Sequence, residues 1–294
     1  MTGRPAPPAA TLCGRPVPVE RPLVMAIVNR TPDSFYDRGA TFTDEAAMRR
    51  VDRSVGEGAD ILDIGGVKAG PGDLVDIEEE IRRVVPFVDA VRARHPDVLI
   101  SVDTWRGDVA RLALAAGADM VNDTWAGHDP GVLTAAGEAG AGFVCSHTGG
   151  AVPRTRPFRV GYHDVVRDVV EELSAAAGRA LAAGVPADGI LVDPTHDFGK
   201  NTFHGLELLR RLGEIVDLGL PVLMALSNKD FIGETLDAGV DDRAEGTLAA
   251  TSVAAYLGAR VFRTHDVRGT LRSVEMVASI VGTRPPSRTV RGLA

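Results

Sequence analysis

From residue 23 onward, short apolar runs alternate with longer segments in which apolar residues recur every three or four positions. The first pattern is typical of buried strands and the second of amphipathic helices. The clearest helical segments are residues 76–94 and 162–184. Eight strand-like runs occur, at residues 23–29, 59–66, 99–104, 120–125, 142–147, 189–195, 221–227 and 259–266.

Strands that are apolar along nearly their whole length are typical of a parallel sheet buried on both faces by helices. Eight such units in 294 residues predict a single-domain α/β fold, a closed (β/α)8 TIM barrel. An open doubly wound sheet is the alternative for the same pattern. We place the barrel at residues 21–284, between an N-terminal extension, 1–20, and a tail, 285–294, that are both expected to be flexible. The extension is rich in Pro and Ala but lacks the apolar core of a signal peptide.

Nearly every predicted strand ends in polar residues. In a parallel barrel these ends converge on one rim, where the active site lies. Helix capping explains Asp and Asn at such points, but it does not explain Lys, Arg and His. The strand ends carry Asn29, Asp63, Asp103, Thr104, Asn122, Asp123, His147, Asp193, Ser227, Lys229, Arg263 and His265.

Lysine is rare in this chain, and its positions point to the same rim. Lys68, Lys200 and Lys229 each follow closely after a predicted strand, whereas arginine is used throughout. This favours sites that need a compact ammonium rather than a planar guanidinium, with coincidence as the alternative. The glycines of the stretch GGVKAGPG, residues 65–72, are expected to let the backbone approach a ligand.

Composition narrows the class of partner. A net charge of −8 argues against nucleic-acid binding, which needs clustered Lys and Arg, and leaves a small-molecule partner. No apolar run reaches the length that a bilayer requires, so no membrane partner is expected. Cys13 and Cys145 are far apart, which suits a reducing cytosol and excludes a disulfide framework; Cys145 is expected in the core.

Several motifs follow one another along the chain: VNRTPDSFYDRG (28–39), SVDTWR (101–106), VNDTWAG (121–127), SH (146–147), VDPTHDFGK (192–200), SNKDFIG (227–233) and RTHDV (263–267). In these motifs, over residues 23–282, the chain resembles the dihydropteroate synthase family, whose members join a dihydropterin pyrophosphate to p-aminobenzoate. The resemblance implies a cytoplasmic (β/α)8 barrel that forms a homodimer.

The resemblance also implies roles at the pterin end of the site. Asp193 matches the residue that accepts from N3–H and the 2-amino group of the pterin, which one carboxylate can do bidentately. Asn122 matches a second pterin contact. Asp103 matches a catalytic carboxylate that faces the ring and stabilises the cation that builds up as pyrophosphate leaves.

Further roles concern the leaving anion. Lys229 matches a catalytic lysine that donates to the pterin and screens the departing pyrophosphate, and Ser227 precedes it in the same motif as a substrate-binding residue. Asn29 matches the residue beside a bridging Mg²⁺, and Arg263 with His265 match the anion-binding pair. The implied reaction is a largely dissociative substitution at the pterin methylene with no covalent enzyme intermediate.

The chain departs from the family pattern at the second loop and at two other points. Residues 67–70 are Val-Lys-Ala-Gly where the family has Glu-Ser-Thr-Arg, and Asn228 replaces an arginine. Residues 195–197 are Thr-His-Asp where the family has a Gly-rich passage. Arg30 and Lys68 are added cations that are expected to bind substrate, with solvated loop charges as the alternative.

These departures predict a pterin-binding protein with weak or lost synthase activity. Each lost donor to a developing charge typically costs about 3 to 4 kcal/mol of transition-state stabilisation. An active dihydropteroate synthase is the alternative, and a corrinoid-linked pterin methyltransferase on the same barrel is a third hypothesis. Asp63, Asp123 and Thr104 are expected only to cap or to bond the rim, and Trp105 and Trp125 to pack at helix starts.

Overall fold

The structure is a computed structural model that describes residues 10–31, 43–155 and 161–291. The strands in these ranges are β1 Ala10–Leu12, β2 Arg15–Val17, β3 Leu23–Asn29, β4 Ile61–Gly65, β5 Leu99–Asp103, β6 Met120–Asn122, β7 Gly142–Ser146, β8 Ile190–Asp193, β9 Leu223–Met224 and β10 Val261–Thr264. The helices are α1 Asp44–Gly56, α2 Ile77–Arg94, α3 Gly107–Ala115, α4 Pro130–Ala139, α5 Val165–Ala182, α6 Thr202–Arg210, α7 Leu212–Val216, α8 Asp230–Leu236, α9 Ala244–Tyr256 and α10 Val267–Val281.

Strands β3 to β10 form one parallel sheet in the order β8-β7-β6-β5-β4-β3-β10-β9. An isolated parallel bridge between Val192 and Val222 joins the two ends of this order, so the sheet curves into a ring. The helices lie outside it and pack on the outward-facing strand residues in one continuous core. The predicted (β/α)8 barrel is confirmed, and the open doubly wound sheet is not what the chain forms.

The two clearest predicted helices are observed with slightly shorter bounds because polar side chains cap their first turns. Asp76 caps α2 by accepting a hydrogen bond from the backbone N–H of Glu79 at 2.7 Å. Asp164 caps α5 by accepting from the N–H groups of Val166 and Arg167. Such caps satisfy backbone donors that have no partner inside the helix.

A hairpin of β1 and β2 lies under the barrel, at the end opposite the predicted rim. Leu12 is 3% exposed and packs with the apolar side chains that fill the barrel floor, among them Met25 and Leu223. The Asp188 carboxylate accepts from the Thr11 hydroxyl at 2.8 Å and fixes the hairpin to the barrel. Residues 10–17 of the extension predicted over 1–20 thus have regular structure, while residues 1–9 lie outside the described part. Residues 285–291 of the predicted tail contain no helix or strand.

Because Leu12 fills the barrel floor, Leu12→Ala is expected to lower the free energy of unfolding by about 2 to 5 kcal/mol through lost burial and a residual cavity. Urea denaturation followed by circular dichroism measures this change. Val290→Ala is the matched control, since Val290 is exposed in the C-terminal segment and its truncation should have little effect. Equal stability of the Leu12 variant and the parent would show that the hairpin does not contribute to the core.

Candidate functional site

The inward-facing positions of the barrel change from apolar to polar along each strand. Side chains two residues apart in a strand point to the same face, so the polar residue follows the apolar one at that interval. Asp63 follows Ile61, and Asn122 follows Met120. The same step occurs from Leu99 to Ser101, from Leu191 to Asp193 and from Val261 to Arg263. The carboxyl ends of the strands therefore enclose a polar chamber above an apolar floor.

This chamber is a pocket of about 690 Å³. Most of the residues predicted from the sequence to bind or act on a ligand line it together. They are Asn29, Lys68, Asp103, Asn122, Asp193, Ser227, Lys229, Arg263 and His265. Residues 32–39 of the first motif lie outside the described residues.

Arg263 is the central cation of the pocket. Its Nε donates to Asp63 Oδ2 at 2.5 Å, and one of its terminal nitrogens donates to Asp103 Oδ2 at 2.8 Å. Burial disfavours its charged form, but the two carboxylates outweigh this effect and raise the pKa of Arg263. Burial raises the pKa of Asp103 to about 7 against the opposing charge of Arg263. Arg263 is thus already ion-paired within the protein.

The sequence did not assign Asp63 to this network, although its place in β4 carried a signal. Asp63 is fully buried and accepts from Ser101 Oγ at 2.6 Å and from Asn122 Nδ2 at 3.2 Å. A carboxylate two residues after Ile61 must face the barrel interior, where capping a helix is impossible. Of the two roles expected for Asp63, cap or hydrogen-bond partner, the structure shows the second, because the residue holds Arg263 from below. Asp123 likewise caps no helix: it accepts from the backbone N–H groups of Trp125 and Gly127 in its own turn.

Two buried acceptors, Asp193 and Asn122, line the pocket. Asp193 is 4% exposed, one of its oxygens accepts from the Thr195 N–H at 2.7 Å, and burial raises its pKa to about 6. Asn122 is buried, and its amide donates to Asp63, which fixes the orientation of the group. Within the described residues, Asn122 Oδ1 has no hydrogen-bond partner. An unpaired buried acceptor is costly, so a donor on a bound ligand is the natural partner for it.

Lys229 lines the pocket and is paired with Asp197. Lys229 Nζ is 3.0 Å from Asp197 Oδ2, and it also lies 5.7 Å from the centre of the Phe198 ring. Asp197 belongs to the passage that departs from the family pattern. That departure therefore places a carboxylate on the lysine that the resemblance assigns to the pterin and to the departing pyrophosphate.

The turn that carries Asp197 is held by Lys200. The buried Lys200 ammonium donates to the backbone carbonyls of His147, Thr195 and Phe198 at 2.9, 3.1 and 2.9 Å. Burial lowers the pKa of Lys200 to about 7. Lys200 is not among the residues that line the pocket. Of the three lysines noted in the sequence, this one stabilises a loop, while Lys68 and Lys229 face the chamber.

Two neutral histidines complete the walls. Burial, together with the charge of Arg263, lowers the pKa of His265 to about 3, and its Nδ1 lies 3.1 Å from Ser227 Oγ. Burial, with the charges of Lys200 and Lys229, also lowers the pKa of His196 to about 3. His196 lines the pocket at 3% exposure, and both of its ring nitrogens lack a partner in the part of the chain that is described. His196 belongs to the Thr-His-Asp passage that departs from the family pattern beside the predicted pterin site, but it was not predicted to bind a ligand.

Arg30 is placed elsewhere. It is 5% exposed, forms an ion pair with Asp44, and stacks with its guanidinium carbon 4.5 Å from the Phe87 ring centre. It is absent from the pocket lining, whereas its neighbours Asn29 and Thr31 belong to it. Adjacent residues in a strand face opposite sides, which explains why Arg30 points toward α1 and α2. Its predicted role as a cation that binds substrate is not supported by this position. Arg30 is also not a solvated loop charge, since it is 5% exposed.

The second loop, which contains residues 67–70, is held in place by an apolar cluster. Val67 packs with Trp105 and Trp125, and Ala69 and Phe198 lie against them. The two tryptophans therefore join the loops of the rim rather than only pack at helix starts. Two glycines of this loop, Gly65 and Gly70, line the pocket, whereas a Cβ on Gly66 would lie 2.6 Å from a Val84 methyl, so Gly66 is needed to pack α2.

Few side chains in the described residues are available to ligate a metal ion. Among the described residues, no group of three or more His, Cys, Asp or Glu side chains could hold an ion. Asn29 faces the pocket, while the carboxylates of Asp63 and Asp103 are engaged by Arg263. Mg²⁺ binds few protein ligands when substrate phosphates and water supply the rest. These residues would therefore fit Mg²⁺ only together with a phosphorylated ligand.

Comparisons with known proteins agree with this geometry. The chain is 65% identical over 287 residues to inactive dihydropteroate synthase 2 of Mycobacterium leprae, covering 96% of this chain and 99% of that protein. It is 36% identical over 276 residues to dihydropteroate synthase of Escherichia coli, covering 94% and 97%. A solved dihydropteroate synthase of Coxiella burnetii, in complex with pteroic acid, has a TM-score of 0.84 at 34% identity and covers 94% of this chain and 99% of its own.

The family described as pterin binding enzyme matches residues 25–265, which span the barrel strands and the pocket. Asp103, Asn122, Asp193, Lys229 and Arg263, which converge in the pocket, all lie within the matched range. The chain therefore belongs to the pterin binding enzyme family.

Proposed function

We propose that this chain binds a pterin in the strand-end pocket and that its dihydropteroate synthase activity is weak or lost. The observation that carries the proposal is that the acceptors for a pterin are retained while the lysine of the pocket is occupied. Asp193 and Asn122 both line the pocket, and Lys229, which also lines it, is paired with Asp197. The name of the Mycobacterium leprae relative, an inactive synthase at 65% identity, supports the second part.

Recognition of the ring uses the buried acceptors. A pterin presents N3–H and a 2-amino group as neighbouring donors, and an ionised carboxylate can accept from both. The Asp193 carboxylate accepts one backbone N–H and lines the pocket. Asn122, whose Oδ1 is unpaired within the described residues, lines the same pocket and adds a second acceptor. The pteroic acid in the Coxiella burnetii structure supports this class of ligand.

Loss of turnover follows from the groups that would hold the leaving anion and the second substrate. Ala69 and Gly70 carry no side-chain donor where the family has Thr and Arg, and Asn228 stands where it has an arginine that helps to hold the second substrate. Lys229, the remaining cation of that motif, is paired with Asp197. Losing one well-placed donor typically reduces the rate by about a hundred to a thousandfold. Binding can outlast turnover because Asp193 and Asn122, the acceptors for the ring, are retained in the lining of the pocket.

An active synthase remains the second candidate, and the position of Lys68 favours it. Lys68 lines the pocket and could replace a lost cation near the leaving group. In that case Mg²⁺ held by Asn29 and the pyrophosphate would supply charge neutralisation, and p-aminobenzoate would be the second substrate.

We also propose a homodimer in the cytoplasm. Exposed apolar side chains on α9 and α10, among them Tyr256, Met276 and Ile280, support an interface on that side. The described cysteines, Cys13 and Cys145, are both unpaired, as in a reducing compartment. None of the described helices is long and apolar enough to span a membrane.

Calorimetric titration with 6-hydroxymethyl-7,8-dihydropterin tests the ring site. We expect Asp193→Asn to weaken binding by about ten to a hundredfold, because a charge-assisted contact becomes a neutral one. In the parent, affinity should fall about tenfold per pH unit below 6, where the Asp193 carboxyl becomes protonated, and the variant should lack this step. Asp89→Asn, on the exposed face of α2, is the matched control. Equal affinity of the Asp193 variant and the parent would overturn the assignment of the ring site.

A further inference from the structure

We propose that the pocket selects a pterin that lacks a pyrophosphate group, and that Asp197 is the residue that determines this specificity. The inference rests on the proposed function, since it names the class of pterin that the same pocket takes. The alternative within this pocket is a ligand with a trianionic pyrophosphate at the 6-methylene.

Asp197 is in direct contact with Lys229. Asp197 Oδ2 lies 3.0 Å from Lys229 Nζ, at the distance of a charge-assisted hydrogen bond. The two side chains are 30% and 20% exposed, so solvent screens their interaction only in part. A pyrophosphate that approached Lys229 would have to displace this carboxylate or accept its repulsion. Like charges placed side by side cost several kcal/mol in binding.

The charges of the described lining residues balance one another. The cations are Lys68, Lys229 and Arg263, and the carboxylates are Asp103, Asp193 and Asp197, while the carboxylate of Asp230 is paired with Arg243 outside the lining. Arg263 is further shared with the buried Asp63 carboxylate beneath it. His196 and His265 are neutral and add no positive charge. Among the described residues the chamber therefore has no excess of positive charge, which suits an uncharged ligand better than a trianion.

The turn that carries Asp197 is held in place by hydrogen bonds on both sides of this residue. Thr195 donates its N–H to Asp193 and has a φ of 49°, a left-handed conformation that is uncommon for a threonine. Lys200 holds the carbonyls on either side of Asp197 through Thr195 and Phe198. The Asp197 carboxylate therefore has a defined position opposite Lys229.

The same turn provides a neutral polar contact. His196 precedes Asp197, lines the chamber, and has two ring nitrogens without a partner among the described residues. A neutral imidazole carries one donor and one acceptor, which match an uncharged hydroxyl or ring nitrogen. The turn thus has two effects in the chamber: His196 supplies a neutral hydrogen-bonding group, and Asp197 pairs with Lys229.

Three probes and two variants test the inference by calorimetry without added metal. The probes are inorganic pyrophosphate, 6-hydroxymethyl-7,8-dihydropterin and the pyrophosphate ester of that pterin. We expect the parent to bind the unphosphorylated pterin at least tenfold more tightly than its pyrophosphate ester. Asp197→Asn should tighten binding of the ester and of inorganic pyrophosphate about tenfold. Asp230→Asn is the matched control, since Asp230 also lines the pocket but pairs with Arg243, and its effect should stay within about twofold.

The outcomes separate this inference from the proposed function. Preference of the parent for the ester, or an Asp197→Asn variant with unchanged affinity for inorganic pyrophosphate, overturns the role of Asp197. Failure of both pterins to bind overturns the proposed function, while the pyrophosphate arm still decides whether Asp197 blocks the anion. An equal gain in the Asp230 and Asp197 variants would mean that overall charge acts, and not the contact with Lys229, which also overturns the inference.

Discussion

Combining Ala69→Thr, Gly70→Arg, Asn228→Arg and Asp197→Gly in one chain is expected to raise the rate of dihydropteroate formation at least about a hundredfold. The first three changes return donors that the family pattern has around the leaving anion and the second substrate. The fourth removes the carboxylate that now occupies Lys229. Each such donor is typically worth about a hundred to a thousandfold in rate, although the effects of neighbouring groups are not additive.

The backbone can accept these side chains. A Cβ on Gly70 would have only the end of the Lys68 side chain nearby, at 3.8 Å. Asn228 has a φ of 58°, so an arginine there costs some backbone strain without a change of fold. The triple variant that keeps Asp197 is the matched control and should gain less than the quadruple one. Steady-state turnover with the pterin pyrophosphate, p-aminobenzoate and Mg²⁺ measures both, and no gain in either would show that other parts of the pocket prevent catalysis.

Replacing Arg263 by leucine is expected to lower the free energy of unfolding by about 3 to 5 kcal/mol. The substitution leaves the carboxylate of Asp63 fully buried without its cation, and removing one partner of a buried pair is strongly destabilising. In a chain of this size, 1 kcal/mol shifts the melting temperature by about 2 to 4 °C. The melting temperature should therefore fall by roughly 6 to 20 °C.

Thermal denaturation followed by circular dichroism measures this effect. Arg268→Leu is the matched control, because Arg268 is exposed on α10 and should tolerate the change. Adding Asp63→Leu to Arg263→Leu should recover part of the loss, since the uncompensated charge is then gone. A melting temperature of Arg263→Leu within 2 °C of the parent would contradict the role of this ion pair in the barrel.

Much of the fold was predictable because local patterns and the global architecture agree. The apolar strands and the periodic helices α2 and α5 specify a parallel barrel, and the polar strand ends fix the rim at which Asp103, Asn122 and Asp193 meet. The hairpin was not predictable from residues 10–17, since three-residue strands carry too little periodicity. Its apolar residues that pack at the barrel floor, Leu12, Cys13 and Val17, are too few to establish a period.

The sequence predicted most of the residues that line the pocket, but it did not predict which of them form ion pairs with one another. A strand position specifies which way a side chain points, and strict application of that rule places Asp63 inside and Arg30 outside. The ion pair between Asp197 and Lys229 joins two loops that are distant in sequence, so neither residue alone indicates it. Likewise, His196 enters the chamber because Lys200 holds the turn, and that role of a lysine is visible only in its three carbonyl contacts.

The most direct test of a retained pterin site without synthase turnover uses one sample of the unmodified protein. It is first titrated with 6-hydroxymethyl-7,8-dihydropterin by calorimetry and then assayed with the pterin pyrophosphate, p-aminobenzoate and Mg²⁺, beside the Escherichia coli synthase. We expect measurable pterin binding, with dihydropteroate formed at least about a hundredfold more slowly than by the Escherichia coli synthase. Turnover comparable to that of the Escherichia coli enzyme, or no binding of the pterin, would contradict the account of a retained pterin site without synthase activity.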